Sequence, residues 1–328
     1  MTSKWTAEPA ADLAAVTALL EMAENLGLSA LLDSGDAFTA DDAATAAHIP
    51  RQSAVSFLEA LDAAGLAVAT EPEHAYTGAA ELPALRHAAG YVSWAMTANR
   101  PYIDNIHDIL SDPSRAPQKY RRDGRRVAVS SRWIGSQGFY QAAFEEIAGA
   151  KPQRIVDLGA GAAALVIHLL QTLPDSDGVA VDLSDAACVE ALRAGERAGV
   201  ADRLNVVNRA IESLPDDPSP LAGADVIHAG FVMHDVAGRP EVLNAILRAC
   251  RASLAPGGRL VISDAVPYSA SPRERAFSSL FTYLHASSMG VALPPQPQWE
   301  QAFRRAGFTD VACRPMRMPT SRLFVVAG

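Results

Sequence analysis

Apolar residues recur at helical spacing through most of the first 85 residues, then gather into short, nearly continuous runs from Arg154 onward. "DLAAVTALLEMAENLGLSALL" carries a helical stripe. "TADDAATAAHI" puts Thr39 ahead of two acids, the pattern of a capped helix start. "RQSAVSFLEALDAAGL" predicts an amphipathic helix ending at Gly65, and "AVATEPEHAYTG" a small hairpin. Three helices and a hairpin are the pieces of a winged helix. Residues 86–150 read as helices around the polar stretch "SDPSRAPQKYRRDGRRVAV", punctuated by Pro113, Pro117 and Gly124. Strands are then predicted at "RIVDLG", "GVAVDLS", "RLNVVNRA", "ADVIHAG", "GRLVISDAV", "FTDVACRPM" and "SRLFVVAG", with helices between the first five. A short "RMPT" turn makes the last two an antiparallel pair. The expected fold class is α/β: a mainly parallel, Rossmann-like sheet with a closing hairpin, preceded by a mainly α domain. Three segments follow: 1–85 for dimerisation, 86–150 as a helical connector contributing to a substrate pocket, and 151–328 as the sheet domain.

Composition narrows the class. With 49% hydrophobic and 20% charged residues, the 328-residue chain suits a globular protein with a sizeable core. No apolar run approaches the ~20 residues of a membrane span. The first fifteen residues lack the basic-then-apolar layout of a secretory signal. Cys188, Cys250 and Cys313 lie far apart and read as plain thiols in a reducing compartment, so a cytoplasmic location is expected. The net charge of −9 is concentrated at one end: residues 1–85 hold two basic residues, Lys4 and Arg51, against thirteen acidic ones. A winged helix this acidic is repelled by phosphate backbones, which argues against a DNA-binding regulator and for a homodimer contact. His48, His74 and His87 have no metal-ligand spacing and read as ordinary side chains.

The candidate chemistry begins at "VDLGAGAAALVIHLL", a strand, a Gly-x-Gly turn and a helix. In open parallel sheets, ligands sit at the carboxyl ends of the strands near the switch point, where Asp157, Gly159 and Gly161 fall. Glycine lets the backbone approach a ligand. Asp182, followed by Leu183, ends the second strand and can accept bonds from both hydroxyls of a ribose. These features alone leave a dinucleotide and S-adenosylmethionine equally open.

Later residues separate the two. With "VDLGAGAA", "VAVDLS", "ADVIHAGFVMHDV", "LAPGGRLVISDAV" and the terminal hairpin in order, nearly the whole chain resembles the class I S-adenosylmethionine-dependent methyltransferases that carry an N-terminal winged-helix dimerisation domain. The resemblance implies a seven-stranded sheet whose last strand is inserted antiparallel. It implies S-adenosylmethionine held by Asp157, Gly159, Gly161, Asp182 and Leu183. The chain departs from the family where Ala163 replaces a third glycine, where Arg209 or Ala210 replaces an acidic residue after the third strand, and where Gly230 replaces a lysine common in plant members.

In O-methyltransferases resembling this chain, the residue aligned with His234 is the general base, and Asp264 would hold its imidazole in the useful tautomer. A narrower resemblance points elsewhere. In the β-carbon methyltransferases of 2-oxo acids the matching histidine is a metal ligand, and another ligand precedes a "Met-Gly-Val-x-Leu-Pro" stretch. Here His285 precedes "MGVALPP", and "KYRRDG" resembles a motif that would place Arg122 on a carboxylate. A divalent metal on His234 and His285 would stabilise the enolate of a chelated 2-oxo acid. Iron(II) is the expected ion, with zinc or nickel as alternatives. Asp235 would accept the proton or support a ligand. The bland alternatives are that His285 and Trp94 are core residues and that Arg122 belongs to a solvated or acid-paired basic face. The expected function is C-methylation of a small 2-oxo acid in specialised metabolism, antibiotic biosynthesis included. The alternative is a metal-independent O-methyltransferase with His234 as base. A methyltransferase fold redirected to other chemistry would leave the same sequence.

Overall fold

The structure, a computed structural model, describes residues 7–268 and 275–328. The start of the predicted helix over "RERAF", at Arg273 and Glu274, lies outside the described residues, as does the opening "MTSKWT". The chain divides into two compact units: Met1–Ile106 with Tyr120–Gln137, and His107–Lys119 with Gly138–Gly328. The segment 86–150 is thus shared between them.

In the first unit, β1 (Phe38–Thr39), β2 (Ala67–Thr70) and β3 (Ala75–Gly78) form a three-stranded sheet in the order β1-β3-β2, with helices Ala40–Ala47 and Arg51–Ala63 between β1 and β2. This is the winged-helix arrangement. Thr39 caps its helix: the Thr39 hydroxyl accepts the Asp42 N–H at 3.2 Å, and the Asp42 carboxylate accepts the Thr39 N–H at 2.8 Å. Leu20, Leu28, Leu58, Leu61 and Leu66 form the core, and Trp133, from helix Gly124–Gly138, packs into it. That docking returns residues 120–137 to this unit. It also occupies part of the basic stretch, since Arg125 donates to the Glu24 carbonyl and Arg126 to the Asn25 side chain.

Glu24 is a half-buried acid held by several partners. Burial pushes its carboxyl up, but the Ser29 hydroxyl at 2.5 Å, Arg132 at 2.9 Å and the nearby Arg86 charge together hold it below the ordinary value of 4.5. A group depressed in the folded state stabilises above its unfolded pKa and loses that contribution as pH falls through the folded value. Thermal melts should therefore place Glu24→Gln below the parent near neutrality, with the gap closing below about pH 4. A gap independent of pH would contradict this.

The second unit is built on β4 (Arg154–Leu158), β5 (Asp177–Asp182), β6 (Leu204–Asn208), β7 (Ala224–Gly230), β8 (Leu254–Ala265), β9 (Asp310–Pro315) and β10 (Ser321–Ala327). Their order is β6-β5-β4-β7-β8-β10-β9; β4 to β8 run parallel, and β10 is antiparallel to both neighbours. The chain leaves β4 in one direction and returns to its other side at β7, so the switch point lies at the carboxyl end of β4. Both faces are covered, which is why these strands read as unbroken apolar runs. Val156, Leu158, Ile227 and Ile262 pack with Trp299 and Phe303 on one face, and Ile155, Val226 and Val261 with Ile147 and Leu169 on the other.

Strand β8 starts at Leu254, earlier than the predicted "GRLVISDAV", because "LAPGG" pairs onward through an irregularity between Ala224 and Val226. A Cβ on Gly258 would approach the Ala224 and Asp225 carbonyls at 3.0 and 3.1 Å, so the pairing needs a residue without one. Among the described residues no helix is long and apolar enough to cross a membrane. Burial pushes the Cys250 thiol up to about 12 and Cys313 to about 11, which removes both as nucleophiles near neutrality.

Candidate active site

The glycine turn leaves β4 through three left-handed residues, Gly159 (φ +68°), Gly161 (φ +55°) and Ala163 (φ +58°). That conformation is costly for a residue with a Cβ, so glycine is the natural choice at all three, and Ala163 carries strain. The turn is fastened to β5 by bonds from the Gly159 and Ala160 N–H groups to the Val181 carbonyl, at 2.8 and 3.1 Å. A Cβ on Gly159 would lie 2.9 Å from Val232, whereas Gly161 faces open space.

Asp182 governs this cradle. One carboxylate oxygen accepts the Gly161 N–H at 2.8 Å, and the other accepts the Ser184 N–H at 2.8 Å. Ser184 in turn caps helix Asp185–Arg197 through the Ala187 N–H. Each oxygen keeps a further lone pair for a ligand hydroxyl. Leu183, 72% exposed, offers an apolar surface beside it. Behind these, Asn208 donates to the Asp182 and Leu183 carbonyls. Arg209 is turned away onto Asp217, whose carboxyl is held down at about 2 by the Ser219 and Arg209 bonds. An open glycine turn, a paired acid and an exposed leucine fit an adenosyl group with its ribose.

His234 begins the short helix His234–Ala237 and is 5% exposed. Its Nδ1 lies 2.7 Å from Asp264 Oδ1, while its backbone N–H donates to Asp264 Oδ2 at 3.1 Å. Asp264, fully buried, also accepts the Ala265 N–H at 2.7 Å. A carboxylate only accepts, so Nδ1 carries the hydrogen and Nε2 becomes the lone-pair nitrogen; the tautomer is assigned from this bond. Asp235, largely exposed, reaches to 3.5 Å from Nε2. Asp264→Asn offers an amide where the acceptor stood and favours the wrong tautomer. It should lower kcat by about a hundredfold or more, with donor affinity kept, in steady-state assays beside calorimetry.

An aromatic wall stands on either side of His234. Phe231, with φ +52°, is held there by its N–H bond to the Ser263 carbonyl at 2.8 Å; its ring lies 4.5 Å from Phe139 and 6.5 Å from His234. A bulky residue in the left-handed region is an outlier of the kind that clusters at functional sites. His285, from helix Arg275–Ser288, stacks on Phe281 at 4.1 Å and meets the His234 ring edge-on at 5.3 Å. Its Nδ1 lies 2.7 Å from the Phe281 carbonyl, so Nε2 is its lone-pair nitrogen as well.

Sequence-predicted residues therefore fall into groups. Gly159, Gly161, Asp182 and Leu183 surround the turn; His234, Asp235, Asp264 and His285 gather at the ends of β7 and β8. Asp157 is 4% exposed, and its Oδ1 lies 2.7 Å from His228 Nδ1. Arg122, half-buried, and Trp94, buried in a π-helical turn Trp94–Ala98, belong to the first unit. No sequence motif marks His228, Ser263 or Phe139. Only the pairing of Asp157 with His228 across β4 and β7 could have flagged the first.

The strand order, with its antiparallel β10 and the glycine turn at the switch point, is that of the class I methyltransferase fold. Comparison with known proteins agrees: a family model described as a methyltransferase domain matches residues 156–260. The demethylspheroidene O-methyltransferase of Rhodobacter capsulatus is 33% identical over 163 residues, 49% of this chain and 37% of that protein's own length. The 3-hydroxy-5-methyl-1-naphthoate 3-O-methyltransferase of Streptomyces sahachiroi is 28% identical over 266 residues, 76% of this chain and 73% of that one. Among solved structures, the mitomycin 7-O-methyltransferase shares the fold with a TM-score of 0.55 and 18% identity, over 97% of this chain and 96% of that one.

Proposed function

We propose that the protein transfers the methyl group of S-adenosylmethionine to a hydroxyl on a planar aromatic small molecule of specialised metabolism. The observation that carries this reading is the buried His234–Asp264 pair, with Nδ1 held at 2.7 Å and Phe231 and Phe281 beside the imidazoles. When bound, S-adenosylmethionine supplies a methyl group already activated by its sulfonium. Gly159, Gly161, Asp182 and Leu183 would hold it. The chain's own task is then to bring a nucleophile into line and remove its proton. His234 Nε2 takes the hydroxyl proton, Asp264 stabilises the imidazolium that results, and the aromatic rings orient the acceptor and exclude water. The names of two of its relatives, both O-methyltransferases, support an oxygen acceptor. The test is product formation from a panel of naphthols, hydroxyquinones and simple phenols, read by mass spectrometry with and without EDTA. Methylated product indifferent to EDTA supports the reading, and no product from any hydroxyl overturns it.

One observation keeps a second reading in view: the His234 and His285 rings lie 5.3 Å apart, each with Nε2 as its lone-pair nitrogen. They would be the ligands for C-methylation of a 2-oxo acid β-carbon through a metal-bound enolate. The donor set is thin for it. Catalytic metal sites usually draw on about three protein ligands, and among the described residues no group of three or more His, Cys, Asp or Glu is arranged to hold a metal ion. Oxygen methylation needs only His234 and Asp264 and is the simpler account. We also propose a cytoplasmic homodimer joined through the winged-helix unit, which sedimentation of the full chain would test: a mass of two chains supports the dimer and a mass of one overturns it.

A further inference from the structure

A second buried histidine–carboxylate pair lies in the sheet, and methyl transfer as derived above does not use it. His228 of β7 stands opposite Asp157 of β4 in register, both side chains are almost fully buried, and Nδ1 lies 2.7 Å from Asp157 Oδ1. On its far side Nε2 lies 3.4 Å from the hydroxyl of Ser263, a residue of β8. The carboxylate can only accept, so Nδ1 donates to it and Nε2 is left to accept from the serine. The chain of bonds thus ties three neighbouring strands together at the level of their carboxyl ends.

That level is where the two halves of the site emerge. Asp157 stands two residues before Gly159, the first residue of the cofactor turn. The His228 ring lies against Gly230, where an added Cβ would come within 3.1 Å of ring carbon Cε1. One residue on, Phe231 takes its left-handed conformation, and its N–H bonds to the carbonyl of the same Ser263. Val232 then packs against Gly159, within 2.9 Å of where a Cβ would lie. The turn that would cradle the cofactor and the loop that carries His234 therefore lean on each other, and His228 braces both from beneath. An apolar residue would have sufficed for packing alone; a donor at Nδ1 is what a buried carboxylate requires.

We propose that His228 is a positioning residue which, through Asp157 and Gly230, holds the cofactor turn against the base-bearing loop, so that affinity for the methyl donor depends on it. The inference rests on the donor-binding reading above. It is tested with the full chain by titration calorimetry with S-adenosylmethionine and with S-adenosylhomocysteine, beside kcat at saturating donor and circular dichroism. His228→Asn keeps an N–H near the Nδ1 position, whereas the longer amide of His228→Gln reaches the Nε2 position and serves Ser263 instead. His228→Gln should raise Kd about tenfold, the worth of one hydrogen bond to a charged group, with kcat at saturation within about threefold. His228→Asn should recover most of the affinity. Parent-like binding by His228→Gln, or equal weakening in both variants, would overturn the proposal while leaving the methyltransferase reading standing. Failure of the parent to bind either compound would overturn both.

Discussion

His234→Asn should lower kcat by about a thousandfold while leaving the donor Kd within about threefold of the parent. The choice of asparagine matters. Asp264 is fully buried, and truncating its partner to alanine would leave one carboxylate oxygen short of its Nδ1–H donor. An asparagine amide can place an N–H near that position, so the carboxylate stays paired and the two backbone bonds, from residues 234 and 265, are untouched. What disappears is the lone pair at Nε2. A phenol has a pKa near 10 and is mostly protonated at neutral pH, so loss of the base falls on the chemical step. Stopped turnover with intact binding, in calorimetry and steady-state assays on one preparation, is the signature. A variant retaining a tenth of the parent kcat would mean that proton removal is not what His234 does.

Asp182→Ala should act on the other half of the site and raise the donor Kd by about a thousandfold. Both of its oxygens are already engaged, with the Gly161 N–H and with the Ser184 N–H, before any ligand arrives. Removing them frees a turn with two left-handed glycines and loosens the start of helix Asp185–Arg197. It also removes the acceptors for two ribose hydroxyls. Bonds to a charged group are worth about 1.5–3 kcal/mol each, so losing two weakens binding by roughly three decades. The loss should appear in calorimetry with S-adenosylhomocysteine, while the thermal midpoint falls only slightly because Asp182 lies at the edge of the core. A Kd within about threefold of the parent would show that the acid only shapes the turn.

Much of the fold was legible because its signals are local. Apolar runs bounded by glycine and proline mark the parallel strands. Thr39 with Asp42 marks a helix start, and the short turn before β10 marks the antiparallel insertion. The switch-point turn was legible for the same reason: glycines with φ near +60° have few substitutes. What stayed hidden depends on contacts far apart in the chain. Helix Gly124–Gly138 carries Trp133 back into the first unit, and nothing in its own pattern says so. His228 sits in "ADVIHAG" as one polar residue in an apolar strand, and its meaning appears only when β4 lies alongside. Asp157, marked by its motif, is also the partner of that histidine across β4 and β7. Phe231 and Phe139 meet at 4.5 Å from positions 92 residues apart. The proximity of His285 to His234 accords with the spacing that suggested a metal pair, yet the ring contact serves an aromatic wall equally well.

The central claim is that the methyl group goes to oxygen, by a histidine base and without a metal. The most direct measurement is NMR of the product formed from donor carrying a carbon-13 methyl, with phenolic and 2-oxo acid acceptors offered together and EDTA present in one of two samples. The account predicts a labelled methyl at the shift of an aryl methyl ether, equal in both samples. A labelled methyl bound to carbon, lost with EDTA and restored by iron(II), would contradict it.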